Sequence, residues 1–268
     1  MLSAFADYHV HTPLCHHAKG WPSDFARRAV ELGLGELGFA DHNPMPVQFD
    51  NWRMSIDDLP RYLDSVAEAR AQFPQLRIKL GLECDFIAGH EAWIEKLAGM
   101  AKWDFFIGSV HYLPGADWAV DDPQHMSRFR GGAIEDIWAS YWRAYAAAIR
   151  SGLYDFVAHP DLPKKFGFRP PGDLRHFYEP VIAALAETGT AFEINTAGLR
   201  KTCAELYPAA DFLALAAEAK VPLLINSDSH DPAELCSGYA EAVAAARGAG
   251  FTHTARFTQR ECSLVPLP

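Results

Sequence analysis

The sequence predicts an α/β barrel of seven or eight strands, and three observations lead to this fold class. Short apolar runs alternate with segments of helical periodicity along the chain, which is the pattern of successive βα units around a parallel sheet. The apolar runs, such as FFIGSV and PLLIN, are continuous, as in strands that are buried on both faces. No glycine-rich phosphate loop follows the first run, which favours a closed barrel over an open doubly wound sheet.

The predicted elements follow one another in a regular order. Strands are predicted near 5–10, 36–40, 77–82, 104–110, 154–158, 190–194 and 222–226, with a last strand near 251–257 that closes or edges the sheet. Helices are predicted at 23–32, 58–72, 90–101, 133–150, 173–188, 209–219 and 232–248. Ser23 is the expected cap of the first helix, and Gly33 follows its end. The inserts 43–56 and 112–130 follow strands, which is where barrels carry active-site loops.

Composition narrows the classes of function. A chain of 268 residues that is 49% hydrophobic can bury one full core, so we expect a single domain spanning 1–268. The net charge of −10 argues against a nucleic-acid partner, because phosphate neutralisation needs clustered Lys and Arg. Five cysteines without a C-x-x-C pair indicate a reducing compartment. No secretory or membrane-spanning segment is visible, so we expect a cytoplasmic protein with no membrane partner. The oligomeric state cannot be predicted.

Ionisable side chains are concentrated where the predicted strands end. Seven of the twelve histidines lie there. In chain order the strand ends carry His9, His11 and His17; Asp41 and His42; Glu83 and Asp85; His111; His159 and Asp161; Asn195 and Arg200; and Asp228 and His230.

A parallel barrel brings all of these strand ends to one mouth. A single strand-end histidine is more often a hydrogen-bonded structural group than a ligand, but this explanation would have to hold separately at six strand ends. Many imidazoles and carboxylates share a pocket at low cost only when cations compensate them. Mixed His and carboxylate sites suit Zn, Mn, Fe or Co. We therefore expect a centre of two or three divalent ions, and ions about 4 Å apart suit in-line displacement at phosphorus.

These motifs resemble the polymerase and histidinol phosphatase (PHP) family of metal-dependent phosphoesterases. The resemblance covers essentially the whole chain: D-x-H-x-H after the first strand, D-H after the second, Glu after the third, single His residues after the fourth and fifth, and S-D-x-H after the seventh. It is strongest to the family's free-standing histidinol-phosphatases, on the stretches HTPLCHHAKG, ADHNPMP, GLECDF, IGSVHYL, HPDLPKKFG and NTAGLRK. The resemblance implies a distorted (β/α)7 TIM-like barrel and hydrolysis of L-histidinol phosphate, a small phosphorylated metabolite of histidine biosynthesis.

The resemblance also implies a ligand set for three ions. His9, His11, Glu83 and Asp228 would hold the first ion, and Glu83, His111 and His159 the second. His17, His42 and His230 would hold the third. His17 is preferred to His16 because it follows His9 by eight positions, the spacing that the family uses. The role of His16 is left open, and an exposed loop position is expected for it.

Other site residues are predicted with less to separate their roles. Glu83, Asp228 and His230 are the expected catalytic groups, and Asp161 is a candidate proton donor or a partner of a ligand. Arg200 is the preferred phosphate clamp, because guanidinium matches paired phosphate oxygens. Further substrate contacts are expected from Lys164, Lys165, Asp85, Phe86 and Tyr112.

Three alternatives stay open at this point. Another PHP activity on nucleotides or oligonucleotides is weakened by the acidic balance of the chain. An amidohydrolase also begins with His-x-His on a barrel strand, but His17, His42 and His230 count against it. A structural PHP module without activity could have lost ligands, whereas all nine positions are filled here.

Overall fold

Seven parallel strands form the central sheet of the computed structural model, in the order β1 to β7. The structure describes residues 2–116, 118–130 and 133–268, so residue 1 of the expected domain and residue 117 of the predicted 112–130 insert lie outside it. The strands are β1 (Ala6–Asp7), β2 (Glu36–His42), β3 (Arg77–Asp85), β4 (Phe105–Ser109), β5 (Phe156–Val157), β6 (Ala191–Asn195) and β7 (Leu223–Asn226).

The sheet closes on itself beyond the last residues of β1 and β7. Val10 and Ser229 form a parallel bridge there. The His11 N–H donates to the Ser229 carbonyl at 2.9 Å, and the Ser229 N–H donates to the His9 carbonyl at 3.0 Å. The predicted seven-stranded parallel barrel is therefore confirmed. Each of the two bridging residues lies between two predicted ligands in the sequence.

A helix follows each strand of the barrel. The helices are α1 (Pro22–Leu32), α2 (Leu59–Gln72), α3 (Glu91–Ala98), α4 (Ile134–Arg150), α5 (Arg175–Thr188), α6 (Ala210–Glu218) and α7 (Tyr239–Ala249). Short 3-10 helices lie at Leu2–Ala4, Pro13–Cys15, Ile56–Asp58, Pro123–Phe129, Leu162–Phe166, Thr196–Arg200 and Pro232–Glu234. No helix in the described ranges is long and apolar enough to cross a membrane.

Two predicted helix boundaries are corrected. Helix α1 begins at Pro22, and Asp24, not Ser23, accepts the Trp21 N–H at 2.9 Å. The predicted helix 232–248 is interrupted, because Cys236 and Gly238 have φ values of 58° and 77° that a right-handed helix cannot contain. Helix α7 consequently starts only at Tyr239.

The interior of the barrel is apolar at the end opposite the mouth. Its cluster comprises Ala6, Tyr8, Ala40, Phe105, Ile107, Phe156, Ala158, Ala191, Leu224, Ala255 and Phe257. Gly81 makes room for the Phe105 ring, since a Cβ at residue 81 would lie 2.3 Å from that ring. Strand residues two apart share a side, so Glu83 points into the same interior one step closer to the mouth.

The C-terminal segment corrects the prediction that 251–257 closes or edges the sheet. Among the described residues, strand β8 (His253–Thr258) pairs only with the antiparallel strand β9 (Glu261–Pro266), which was not predicted from the sequence. Gln259 and Arg260 both have positive φ, the geometry of a tight two-residue hairpin turn. Phe257 stacks on Phe156 at 5.5 Å between ring centroids, so this hairpin covers the apolar end of the barrel.

Candidate metal centre

The nine predicted ligands converge at the mouth of the barrel. A cavity of about 250 Å³ opens there, and His17, His42, Glu83, His111, His159, Asp228 and His230 line it. His9 and His11 lie directly beside this group and are fully buried. Side chains that are spread over more than two hundred residues of sequence therefore face one another across a single space.

The first predicted group forms a tight set around His9 and His11. His9 Nε2 lies 3.3 Å from Glu83 Oε2 and 3.6 Å from Asp228 Oδ1. His11 Nε2 lies 3.5 Å and 3.3 Å from the same two oxygens. These separations bring two imidazole nitrogens and two carboxylate oxygens close enough to bind one cation.

The second predicted group shares Glu83 through its other oxygen. Glu83 Oε1 lies 2.9 Å from His159 Nε2 and 3.8 Å from His111 Nε2. The two carboxylate oxygens of Glu83 thus face different sets of imidazoles, which is the arrangement of a bridging carboxylate.

The third predicted group consists of imidazoles alone. The ring centroids of His17 and His230 are 4.6 Å apart, and those of His17 and His42 are 5.5 Å apart. One ligand atom from each of His17, His42 and His230 lies within 4.8 Å of the others. The groups overlap, since His42 also lies near Glu83 and His11, so the geometry does not fix how ligands divide among ions.

The donor set fits divalent cations. His9 Nε2, His11 Nε2, Glu83 Oε2 and His230 Nε2 are buried atoms with no hydrogen-bond partner within the described parts of the chain. Buried polar atoms are rarely left unpaired, so such a cluster calls for another charged species. Burial alone would raise the pKa of Glu83, but the neighbouring imidazoles, His9 first, hold its pKa well below its usual range. Glu83 is therefore an anion in the centre of the cluster.

Backbone geometry at two strand ends is unusual. His159 and Asp228 have backbone φ values of 27° and 50°, which residues other than glycine rarely adopt. Both residues contribute to the cluster, and backbone strain of this kind concentrates at functional sites.

Two predicted polar contacts are corrected because their side chains are buried away from the cavity. Lys164 Nζ donates to Asp161 Oδ2 at 3.0 Å and to the Leu206 carbonyl at 2.7 Å. Asp161 is fully buried, and its Oδ2 also accepts the Ala209 N–H at 2.8 Å. Lys164 and Asp161 thus hold the 3-10 helix that follows β5, and neither is among the residues that line the cavity at the mouth.

Asp85 is corrected for the same reason, whereas a substrate contact by Tyr112 stays a prediction. Asp85 Oδ1 accepts from His111 Nδ1 at 2.8 Å, while its Oδ2 accepts from Arg53 Nη2 at 2.8 Å. Tyr112 donates to Asp50 at 3.0 Å and stacks with Trp52, and the two residues line a further cavity together. Asp85 therefore orients His111, and Tyr112 supports the Trp52 ring. Phe86 is 9% exposed and belongs to the hydrophobic core.

The cations of the cavity differ in part from those expected. Lys165 and Lys201 line it, and Lys165 Nζ donates to Asp121 at 2.9 Å. Arg200 Nη2 donates to the carbonyls of Ser227 and Asp228 at 2.9 and 3.2 Å, which supports the segment carrying Asp228. A phosphate contact by Arg200 stays a prediction. His16 is exposed and lies outside the cluster.

Several residues of the site were not predicted from the sequence. Trp52 and Asp121 line a second cavity of about 290 Å³ that shares His42 and His111 with the first. Cys15 lies close enough to His11 and His230 to join a ligand set. Glu193 bonds to His9 from a buried strand. A carboxylate within the apolar run AFEIN was the available signal for Glu193, whereas nothing local marked Trp52 or Asp121.

Comparison with known proteins gives a consistent result. The sequence profile described as "PHP domain" matches residues 7–197. A protein of Deinococcus radiodurans named "Probable histidinol-phosphatase" is 41% identical over 251 residues, which cover 93% of this chain and 95% of the relative. The "Histidinol-phosphatase" of Bacillus subtilis is 29% identical over 87% of this chain and 96% of its own length.

A solved structure shares the fold. The crystal structure of histidinol phosphate phosphatase from Lactococcus lactis, complexed with zinc, L-histidinol and phosphate, superposes with a TM-score of 0.82. It is 23% identical and covers 97% of this chain and 98% of that chain. The seven-stranded barrel, the clustered strand-end ligands, the profile match and the 41% identity agree. This chain belongs to the PHP domain family.

Proposed function

We propose that this protein is a metal-dependent phosphomonoesterase that hydrolyses L-histidinol phosphate to L-histidinol and phosphate. The observation that carries the proposal is the cluster of buried imidazole and carboxylate atoms at the barrel mouth that have no hydrogen-bond partner among the described residues. Its substrate is inferred from the Deinococcus relative, which spans nearly the whole chain at 41% identity.

The ligand sets are part of this proposal. His9, His11, Glu83 and Asp228 hold a first ion, and Glu83, His111 and His159 hold a second. His17, His42 and His230 hold a third. Mixed imidazole and carboxylate donors accept Zn, Mn, Fe or Co, and zinc is the metal named in the Lactococcus structure. When bound, such ions activate water, bind phosphate oxygens and stabilise charge on the leaving oxygen.

The chain's own residues position the substrate around this centre. Lys165 and Lys201 line the 250 Å³ cavity and supply positive charge for the phosphate oxygens. The adjoining 290 Å³ cavity, walled by Trp52, Asp121 and Asp122, accommodates the alcohol part of the ester. L-histidinol carries an amine and an imidazole, and the two carboxylates suit the positive charge of the amine and the N–H of the imidazole.

Phosphate release by the purified protein tests the proposal. The protein is stripped with a chelator, reloaded with Zn, Mn, Fe or Co in turn, and assayed for phosphate release from L-histidinol phosphate. Nucleotide release from a single-stranded oligonucleotide and ring opening of a cyclic amide are measured in parallel. We expect no activity without metal and recovery on L-histidinol phosphate with at least one metal. Preference for the oligonucleotide, or activity on a cyclic amide instead, would replace this function with one of the alternatives.

A further inference from the structure

Glu193 is a buried carboxylate that contacts His9, one of the predicted ligands. It lies in β6, two residues after Ala191, and Ala191 belongs to the apolar interior of the barrel. Residues two apart on a strand share a side, so Glu193 points into the barrel between its apolar core and the mouth. Its exposed fraction is 0%. A carboxylate in this place needs compensating partners.

Four hydrogen-bond donors surround Glu193. Its Oε1 accepts from the His159 backbone N–H at 3.0 Å and from Asn195 Nδ2 at 2.7 Å. Its Oε2 accepts from Asn226 Nδ2 at 2.8 Å. His9 Nδ1 lies 3.0 and 3.1 Å from the two oxygens and donates to both. These partners come from the ends of four different strands.

A carboxylate is required because every neighbour in this network donates. The Asn226 amide is fixed in this orientation, since its Oδ1 accepts the Tyr8 N–H at 2.8 Å. The Asn195 amide is fixed likewise, because its Oδ1 accepts the Ala197 N–H at 2.9 Å. A glutamine at residue 193 would turn an NH₂ group toward donors and leave buried groups unpaired.

The bond to His9 determines which nitrogen of that ring is free. With the proton on Nδ1, the lone pair of Nε2 points toward Glu83 and Asp228, at 3.3 and 3.6 Å. The bond to the His159 N–H holds a backbone with a φ of 27°, which orients a second imidazole toward Glu83. One carboxylate therefore orients a ligand of the first ion position and a ligand of the second.

We propose that Glu193 is a positioning residue that couples the first and second ion positions by fixing His9 and His159 together. Residues that orient metal ligands typically change metal affinity by about 10- to 100-fold when they are replaced. Asp85 performs the simpler task, because it orients His111 alone. This inference rests on the ion positions in the proposed function.

Metal titration separates this role from plain structural support. Cobalt and zinc affinities are measured for the wild type, Glu193→Gln, Asp85→Asn and the control Glu36→Gln. Glu36 is 5% exposed and bonds to Tyr8 and Arg77 at the other end of the barrel. We expect Glu193→Gln to weaken both of the first two binding steps by about 10- to 100-fold. Asp85→Asn should weaken one step, and Glu36→Gln should lower Tm without changing affinity. Wild-type affinity in folded Glu193→Gln would overturn the proposal.

The tautomer of His9 provides a test that needs no folded variant of Glu193. The ¹⁵N NMR signals of the His9 ring are recorded in the full-length wild-type protein before and after zinc is added, and are assigned by their loss in His9→Gln. The proposal requires that the zinc-bound ring carries its proton on Nδ1, and a zinc-bound ring with its proton on Nε2 would refute it. If the wild type bound no metal while His9 carried its proton on Nδ1, the proposed function would fail and the positioning of His9 would stand.

Discussion

The two ends of the barrel treat buried charge in opposite ways. At the end opposite the mouth, here called the closed end, Glu36 binds Arg77, and Asp104 binds Arg70 and the Leu80 N–H. Asp155 there binds Arg260 and the Phe106 N–H. At the mouth, buried atoms of His9, His11 and Glu83 have no hydrogen-bond partner in the ranges that the structure describes.

This difference separates stability from function within one fold. Paired carboxylates at the closed end tie loops and the β8–β9 hairpin to the strands, so they act on the folding equilibrium. At the mouth, charged groups are buried close together. The free-energy cost of burying them is offset only when cations bind. A protein departs from full pairing of its polar groups chiefly at functional sites. The comparison therefore predicts different consequences for the loss of a carboxylate or its partner at each end.

The largest effect is expected at the mouth. Glu83→Gln should lower kcat/KM for L-histidinol phosphate by at least about 10³-fold, because both oxygens of Glu83 face the proposed ligand sets and the proposed metal centre would supply the chemistry. Phosphate release at saturating metal measures this change. Glu36→Gln is the matched control and should keep kcat within about twofold. A loss of less than tenfold in Glu83→Gln would remove Glu83 from the centre.

The closed end should respond in stability and not in activity. Arg260 donates to Asp155 at 2.9 Å and to the Leu153 carbonyl at 2.6 Å, and its loss leaves Asp155 buried without that cation. Arg260→Ala should reduce the free energy of unfolding by about 1–3 kcal/mol. Urea denaturation measures this loss, while kcat of the folded fraction should be unchanged. Arg27→Ala, which removes an exposed pair with Asp24, should cost less than about 0.5 kcal/mol. Equal effects of the two changes would contradict this explanation.

The remaining effect is a pH dependence of stability near the mouth. Burial raises the pKa of Asp161 to about 6, although Lys164 opposes the shift. The folded state then holds its proton more tightly than the unfolded state, so this contribution to stability is present below about pH 4 and is lost as pH rises through 6.

Replacing Asp161 removes that dependence. The stability of Asp161→Asn relative to wild type should rise by roughly 1–3 kcal/mol between pH 4 and pH 7. Urea denaturation of both proteins across this range measures the difference. Protonation of the predicted metal-binding side chains affects both proteins and therefore cancels in the comparison. A difference that is constant with pH would show that Asp161 keeps its ordinary pKa.

Much of the fold and of the candidate site could be predicted from sequence. Strand ends such as Asp7–His11 and Asp228–His230 lie in short motifs, and the parallel barrel brings such ends together whatever their order. The roles of Lys164, Asp85 and Asp161 could not be predicted, because a strand-end position does not say whether a polar side chain faces the cavity or a neighbouring loop. The β8–β9 hairpin was missed because Gln259 and Arg260 are not typical turn residues.

The amino-acid sequence by itself determined the alternation of strands and helices, the parallel barrel and the residues that gather at its mouth. These follow from hydrophobic periodicity and from the geometry that all parallel strands share. Only the tertiary structure decided which carboxylates contact the histidines at the mouth and which pair with Arg, Lys or backbone N–H groups. Those pairings join residues as distant as His9 and Glu193, 184 positions apart, and packing of the whole barrel sets their distances.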